Sequence, residues 1–391
     1  MDPAELTDRA IAELTRLVAF DTTSRLSNLA LIEHVEALLA AHGVRSRRVA
    51  NADGSKANLL ASIGPGVEGG VVLSGHTDVV PVDGQPWSSD PFALEEREGR
   101  LYGRGTCDMK GFLALSLAAL PAFAAAGLRR PVHLAFSYDE EVGCLGAPDL
   151  IRALVADLPR PGVVVVGEPT DMQAVSGHKG IAVYTVTVRG KEAHSSRTDL
   201  GASAIMAAVR LMAVLQDTAE RLTREAQAGL FHPAGATLTI GQVGGGTATN
   251  ILARECVFAF DLRCPPGMGP EAVLAPFQAA VAEVDAELKR WGPEAGVVVA
   301  HRSTTPPLSP EAGGAAERLA RALTGDNGPE RAVAYAAEAG QFQQAGFSTV
   351  ICGPGSIDQA HQADEFVERS QMERGALFML RLAEHLSKDP A

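Results

Sequence analysis

Metal-binding side chains follow four strand-like apolar runs in this sequence. His76 follows residues 71–75, and Asp139, Glu140 and Glu141 follow 132–138. Glu168 follows 163–167, and His361 lies a short loop beyond 349–354. A further carboxylate, Asp108, precedes a helix-like stretch. In open α/β sheets, ligands bind beyond the carboxyl ends of the strands. Side chains delivered to four such ends converge in space despite their separation along the chain. One histidine and one carboxylate per ion, with Asp108 shared, make a symmetric two-metal site. That mixed set suits Zn²⁺, with Co²⁺ or Mn²⁺ as substitutes.

Each residue also has a plainer reading. A lone histidine at a strand end is often structural. Asp78, two positions on, can accept the second imidazole N–H and so orient a metal-bound ring. Asp108 alone reads as a helix N-cap, although the glycines at 103, 105 and 111 let other backbone approach closely. The acidic triplet reads as a solvated turn. Yet the apolar residues before it and Gly143-Cys144-Leu145-Gly146 after it are not those of a long exposed loop. Neighbouring carboxylates can divide into ligand and general base. Glu168 follows four valines, as in a fully buried central strand. Cys107 and Cys144 read as small packing residues.

The elements that carry these residues alternate. From 71 to 168 the order is strand, helix, strand, helix, strand, which predicts a parallel or mixed sheet with helices on its faces. Residues 26–42, 109–127 and 371–386 have helical periodicity. The character changes near Gly177. Strands over 181–189, 237–241 and 255–263, a helix over 201–216 and a turn at 244–246 predict an inserted domain from 178 to about 290. Residues 1–177 and 291–391 make the first domain, with 297–301 and 349–353 returning to it. The fold class is α/β: a mixed-sheet domain with helices on both faces, plus a smaller inserted α+β domain.

The chain has 391 residues, of which 46% are hydrophobic and 21% charged, with a net charge of −13. That balance can fill a core. The negative charge, with no basic stripe, argues against a nucleic-acid partner. No apolar run reaches the roughly 18–20 residues of a membrane span, so no membrane partner is expected. The first ten residues carry no secretory signal pattern. Cys107, Cys144, Cys256, Cys264 and Cys352 are odd in number and widely spaced. They read as reduced thiols of a cytoplasmic protein.

The sequence resembles the M20 family of dinuclear-zinc amidohydrolases and peptidases. The resemblance rests on Gly75-His76-Thr77-Asp78-Val79-Val80-Pro81, on residues 103–111 around Asp108, and on Asp139-Glu140-Glu141. It also rests on Gly167-Glu168-Pro169-Thr170 and Ala360-His361-Gln362-Ala363-Asp364-Glu365. Residues 87–92, His178-Lys179-Gly180, Ala337-Glu338-Ala339 and 353–365 point within the family to deacetylases of N-acetyl amino acids such as N-acetylornithine.

The resemblance implies two Zn²⁺ ions, one held by His76 and Glu168, the other by Glu141 and His361, with Asp108 bridging. It implies a cis peptide after Asp108, Asp78 behind His76, and Glu140 as the general base that works on a metal-activated water. It implies that the insert is a ferredoxin-like dimerisation domain, so a homodimer is expected. His194 would then reach a partner subunit's site and stabilise the oxyanion. Asn250 and Arg263 would bind the substrate carboxylate, although Arg263 could equally pair with Asp261 or Glu255. The small-molecule partner is an N-acyl amino acid. Succinyl-diaminopimelate, acylcitrulline and other acyl amino acids are alternatives that use similar motifs. A non-catalytic dimeric binding protein would lack a ligand or the base, and here none is missing.

Overall fold

The computed structural model describes residues 1–389 and divides into two compact units. The first comprises residues 1–177, 308–331 and 337–391, and the second 178–307 and 332–336.

The first unit is built on a six-stranded mixed sheet. Its order across the sheet is Ser46–Ala50, Ala57–Ile63, Val132–Ser137, Val71–His76, Val163–Pro169 and Ser348–Gly353. The last four strands are mutually parallel, and the first two run antiparallel at one edge. Val71–His76 and Val163–Pro169 are buried at every position because both sheet faces are covered. On one face Gly111–Ala118 packs with Pro3–Val18 and Arg369–Ser387. On the other, Ala147–Asp157 lies against Ala57–Ile63 and Val132–Ser137, and Ala339–Gln344 lies against Ser348–Gly353. The chain lays down Val71–His76, moves to one side for Val132–Ser137, then to the other for Val163–Pro169. That reversal makes the carboxyl end of Val71–His76 a topological switch point, where such sheets bind ligands.

Residues Thr106–Ala125 are by length and composition apolar enough to cross a membrane, against the expectation from sequence. However, 78% of that window is buried inside the protein. Among the described residues it is a core segment, broken at Asp108 and Met109, where the dihedrals are not helical.

The second unit is an antiparallel sheet in the order Thr237–Gly245, Glu255–Cys264, Gly180–Arg189, Gly296–Thr305. Ala204–Glu225 and Pro270–Lys289 supply its helices. The order strand, helix, strand, strand, helix, strand is that of the ferredoxin-like layer. Alternate residues of Glu255–Cys264 point into a core that includes Phe258, Phe260 and Leu262. The expectation that 297–301 returns to the first domain is corrected. Gly296–Thr305 pairs with Gly180–Arg189 along its length, so the insert runs to Pro307 rather than 290. Strand pairing is non-local, and nothing in a short apolar run states which sheet it joins.

Candidate metal centre

The candidate residues of the first unit gather at the carboxyl edge of the parallel strands. His76 ends Val71–His76, and Glu168 stands one residue before the end of Val163–Pro169. Gly167 must lack a side chain, since a Cβ there would lie 2.0 Å from the Phe112 ring. The strand therefore sits directly on the helix beneath Glu168. The Asp108–Met109 peptide is cis. His361 adopts a φ of +63°, the left-handed region that non-glycine residues seldom occupy.

Two clusters share Asp108. His76, Asp108 and Glu168 offer ligand atoms that all lie within 4.8 Å of one another, and so do Asp108, Glu141 and His361. His76 Nε2 is 3.0 Å from Asp108 Oδ1 and 3.8 Å from Glu168 Oε1. His361 Nε2 is 3.3 Å from Asp108 Oδ2 and 3.0 Å from Glu141 Oε2. Asp108 thus turns one oxygen to each cluster. Ligands about 2.1 Å from a tetrahedral ion lie about 3.4 Å apart, and the observed spacings bracket that value. Glu141 Oε1 and Glu168 Oε1 are buried without a hydrogen-bond partner. Buried oxygens are seldom left so unless something else, such as a cation, takes them. The donor set fits two divalent cations.

The electrostatics report the same crowding of negative charge. Burial, with Asp108 nearby, pushes the Glu141 carboxyl up to about 7 and Glu168 well above its ordinary value. Burial also lifts Glu140 to about 8, partly opposed by His76 and reinforced by Glu141. Hydrogen bonds to Asp108 and Glu141 raise His361 to about 10. Burial alone would raise Asp108, but the imidazoles of His361 and His76 override it and hold the carboxyl below its usual range.

The surroundings correct one expectation. Asp78 does not orient His76 through its carboxylate: the closer approach to His76 Nδ1 is the Asp78 backbone carbonyl at 2.8 Å, with Oδ1 at 3.7 Å. The carboxylate instead accepts the backbone N–H of Glu140 at 3.1 Å, the N–H of Glu141 at 3.3 Å and the Ser24 hydroxyl at 2.6 Å. A carboxylate between two free N–H groups and a hydroxyl makes more bonds there than it would beside one ring. Cys144, read as a packing residue, places Sγ 3.2 Å from Glu140 Oε1. Lys56 pairs with Asp139 at 2.5 Å and so compensates the first member of the acidic triplet. Glu338 accepts from Ser74 Oγ at 2.6 Å and Ser137 Oγ at 2.7 Å, tying the two central strands together below their ligands. No local pattern marks Ser24 or Lys56. Glu338 was visible only as part of a motif.

The three remaining candidates lie in the second unit. His194 is exposed, with Nδ1 2.8 Å from Ser196 Oγ. Its segment pairs with the segment of Asn250 through a bridge from His194 to Ile251 and through Ser195 N–H to Asn250 O at 2.9 Å. Arg263 is at the other end of the sheet, seven residues along its strand from Cys256, or roughly 23 Å. Asn250, tied to the His194 segment, and Arg263 thus lie towards opposite ends of the sheet. Arg263 Nε is 3.8 Å from Asp261, while Glu255 is engaged by Arg189.

Comparison with known proteins shows the family and the fold. The family model described as peptidase family M20/M25/M40 matches residues 72–385. An acetylornithine deacetylase of Myxococcus xanthus is 36% identical over 379 residues, 96% of each chain. A metallo-carboxypeptidase of the M20 family from Sulfolobus solfataricus superposes with a TM-score of 0.76 at 17% identity, over 97% of this chain and 99% of that one. A dinuclear metal binding peptidase of Bacillus subtilis superposes with a TM-score of 0.63 at 16% identity, over 98% and 99%.

Proposed function

We propose that this chain, which belongs to peptidase family M20/M25/M40 and is a metal-dependent amidohydrolase, hydrolyses N²-acetyl-L-ornithine to L-ornithine and acetate, a step of arginine biosynthesis. The observation that carries the amide chemistry is the pair of clusters sharing Asp108, with Glu140 close enough to feel the charge of His76, Glu141 and Asp108. The ornithine substrate is supported by the 36% identity to the Myxococcus enzyme over nearly all of both chains.

In this reading His76, Asp108 and Glu168 hold one Zn²⁺, and Asp108, Glu141 and His361 hold the other. Bound there, the ions would polarise the acyl carbonyl and lower the pKa of a water towards neutrality. Glu140 takes the proton from the attacking water and passes it to the departing amine. Burial raises the Glu140 carboxyl above its ordinary value, and the positive charge of bound ions would lower it again, leaving a carboxylate able to accept the proton. Asp78 holds Glu140 and Glu141 in place by their backbone N–H groups, and the Asp78 carbonyl sets the His76 ring.

The same reading makes the protein a cytoplasmic homodimer. His194 and Asn250, adjacent in the second unit, serve the site of a partner subunit, and Arg263 binds the substrate carboxylate from the other end of the sheet. The exposed apolar side chains Met206 (67%) and Val243 (63%) of that unit are surface for a second copy to cover.

The deciding experiment compares kcat/KM of the metal-loaded protein for N-acetylornithine, N-acetylcitrulline, N-acetylmethionine and succinyl-diaminopimelate. N-acetylornithine should be turned over fastest. Far faster turnover of another substrate reassigns the enzyme within the family, and no turnover of any removes the catalytic reading.

A further inference from the structure

Glu365 lies four residues after His361, and the reaction outlined above gives it no task. Its side chain is 1% exposed, yet it is ringed by donors. Oε2 accepts the Gly105 N–H at 3.0 Å, and Oε1 accepts the Cys107 N–H at 2.9 Å and the Asp108 N–H at 3.0 Å. Its backbone carbonyl takes the Gly103 N–H at 2.9 Å. Four of the six N–H groups between Gly103 and Asp108 therefore end on this one residue. The segment cannot satisfy them itself. Gly105 is in the left-handed region at φ +81°, and a Cβ there would lie 2.7 Å from Val79.

The charge is balanced by the buried guanidinium of Arg104. Arg104 Nη1 lies 2.7 Å from Glu365 Oε2 and also donates to Gln362 O at 3.2 Å, next to His361. Its other amino group donates to Gln85 Oε1 and Pro81 O, and its guanidinium lies over Trp87. The pair thus joins the segment carrying Asp108 to the loop carrying His361. Asp108 is common to both clusters, so whatever sets its backbone sets both.

We infer that Glu365 is a positioning residue for the shared ligand Asp108: its carboxylate holds the Gly105–Asp108 backbone so that Oδ1 and Oδ2 face separate ion sites. The inference rests on the two-ion reading above and extends it to a residue that touches neither ion nor substrate. A glutamine at 365 keeps one acceptor oxygen. Its amide NH₂ would face either the Gly105 and Arg104 donors or the Cys107 and Asp108 donors, so one side of the cradle is lost whichever way it turns.

The test uses purified full-length protein titrated with Zn²⁺ against a competing chelator, alongside the absorption spectrum of the Co²⁺ form. Wild type should bind two ions per chain. E365Q should bind both roughly 10–100-fold more weakly, the usual effect of removing the support of a metal ligand, with a shifted Co²⁺ spectrum. A purely structural role would lower the unfolding midpoint of the metal-free chain and leave the affinity of the folded protein unchanged. Affinities within twofold of wild type and an unaltered spectrum overturn the inference. If E365Q does not fold because Arg104 is left unpaired, the double variant E365Q/R104M removes that cation. The same loss is expected of it, and wild-type affinity refutes the role. Wild type binding fewer than two ions would instead show that the two-ion reading itself is wrong.

Discussion

Replacing Asp78 by asparagine separates two accounts of how the centre is supported. If the carboxylate orients His76, its loss weakens metal binding. In the structure the His76 ring leans on the Asp78 backbone carbonyl, which asparagine retains, while the carboxylate holds the N–H groups of Glu140 and Glu141. Asparagine keeps one oxygen and presents an NH₂ where the other stood, so at least one of those N–H groups loses its charged acceptor. A hydrogen bond to a charged group contributes about 1.5–3 kcal/mol. At about 1.4 kcal/mol per factor of ten, loosening the base by that amount lowers kcat about 10–150-fold. The assay is steady-state hydrolysis of N²-acetyl-L-ornithine with metal content measured on the same sample. The expected result is a reduced kcat that persists when both ions are fully loaded. Loss of an ion with undiminished kcat in the reloaded enzyme would refute the placement argument and return Asp78 to His76.

Other outcomes follow from the same geometry. Glu140→Gln should bind both ions normally while kcat falls roughly 10²–10⁴-fold, and near-wild-type turnover would remove Glu140 as the base. Metal affinity should rise with pH. A metal-binding imidazole must be neutral, whereas His361 holds a proton up to about 10 and Glu141 holds one below about 7. Each proton displaced makes binding about tenfold tighter per pH unit up to the pKa concerned. A flat affinity between pH 7 and 9, read by chelator competition, would contradict the protonated His361.

The candidate metal ligands were legible for a physical reason. A strand that becomes parallel and central is apolar at every position, and its carboxyl end opens onto the binding edge. A histidine or carboxylate directly after such a run is therefore marked by its context. His76, Glu168 and the acidic triplet could be read this way. Asp108 and His361 could not. One looked like a helix cap and the other like an ordinary loop residue, and they gained weight only beside the other candidates and then from the motifs they share with a family.

What stayed hidden depends on contacts between distant segments. Asp78 and Glu365 are carboxylates whose partners are backbone N–H groups up to about 260 residues away, and backbone donors leave no trace in side-chain identity. The edge at which Gly296–Thr305 joins the second sheet, and the length of strand separating Arg263 from Asn250, follow from pairing register. Residue types and their order thus determined which side chains arrive at one edge and what chemistry they can do there. The direction in which each carboxylate points, and so which are ligands and which are struts, was decided by the tertiary structure, because buried charge goes wherever unpaired donors lie.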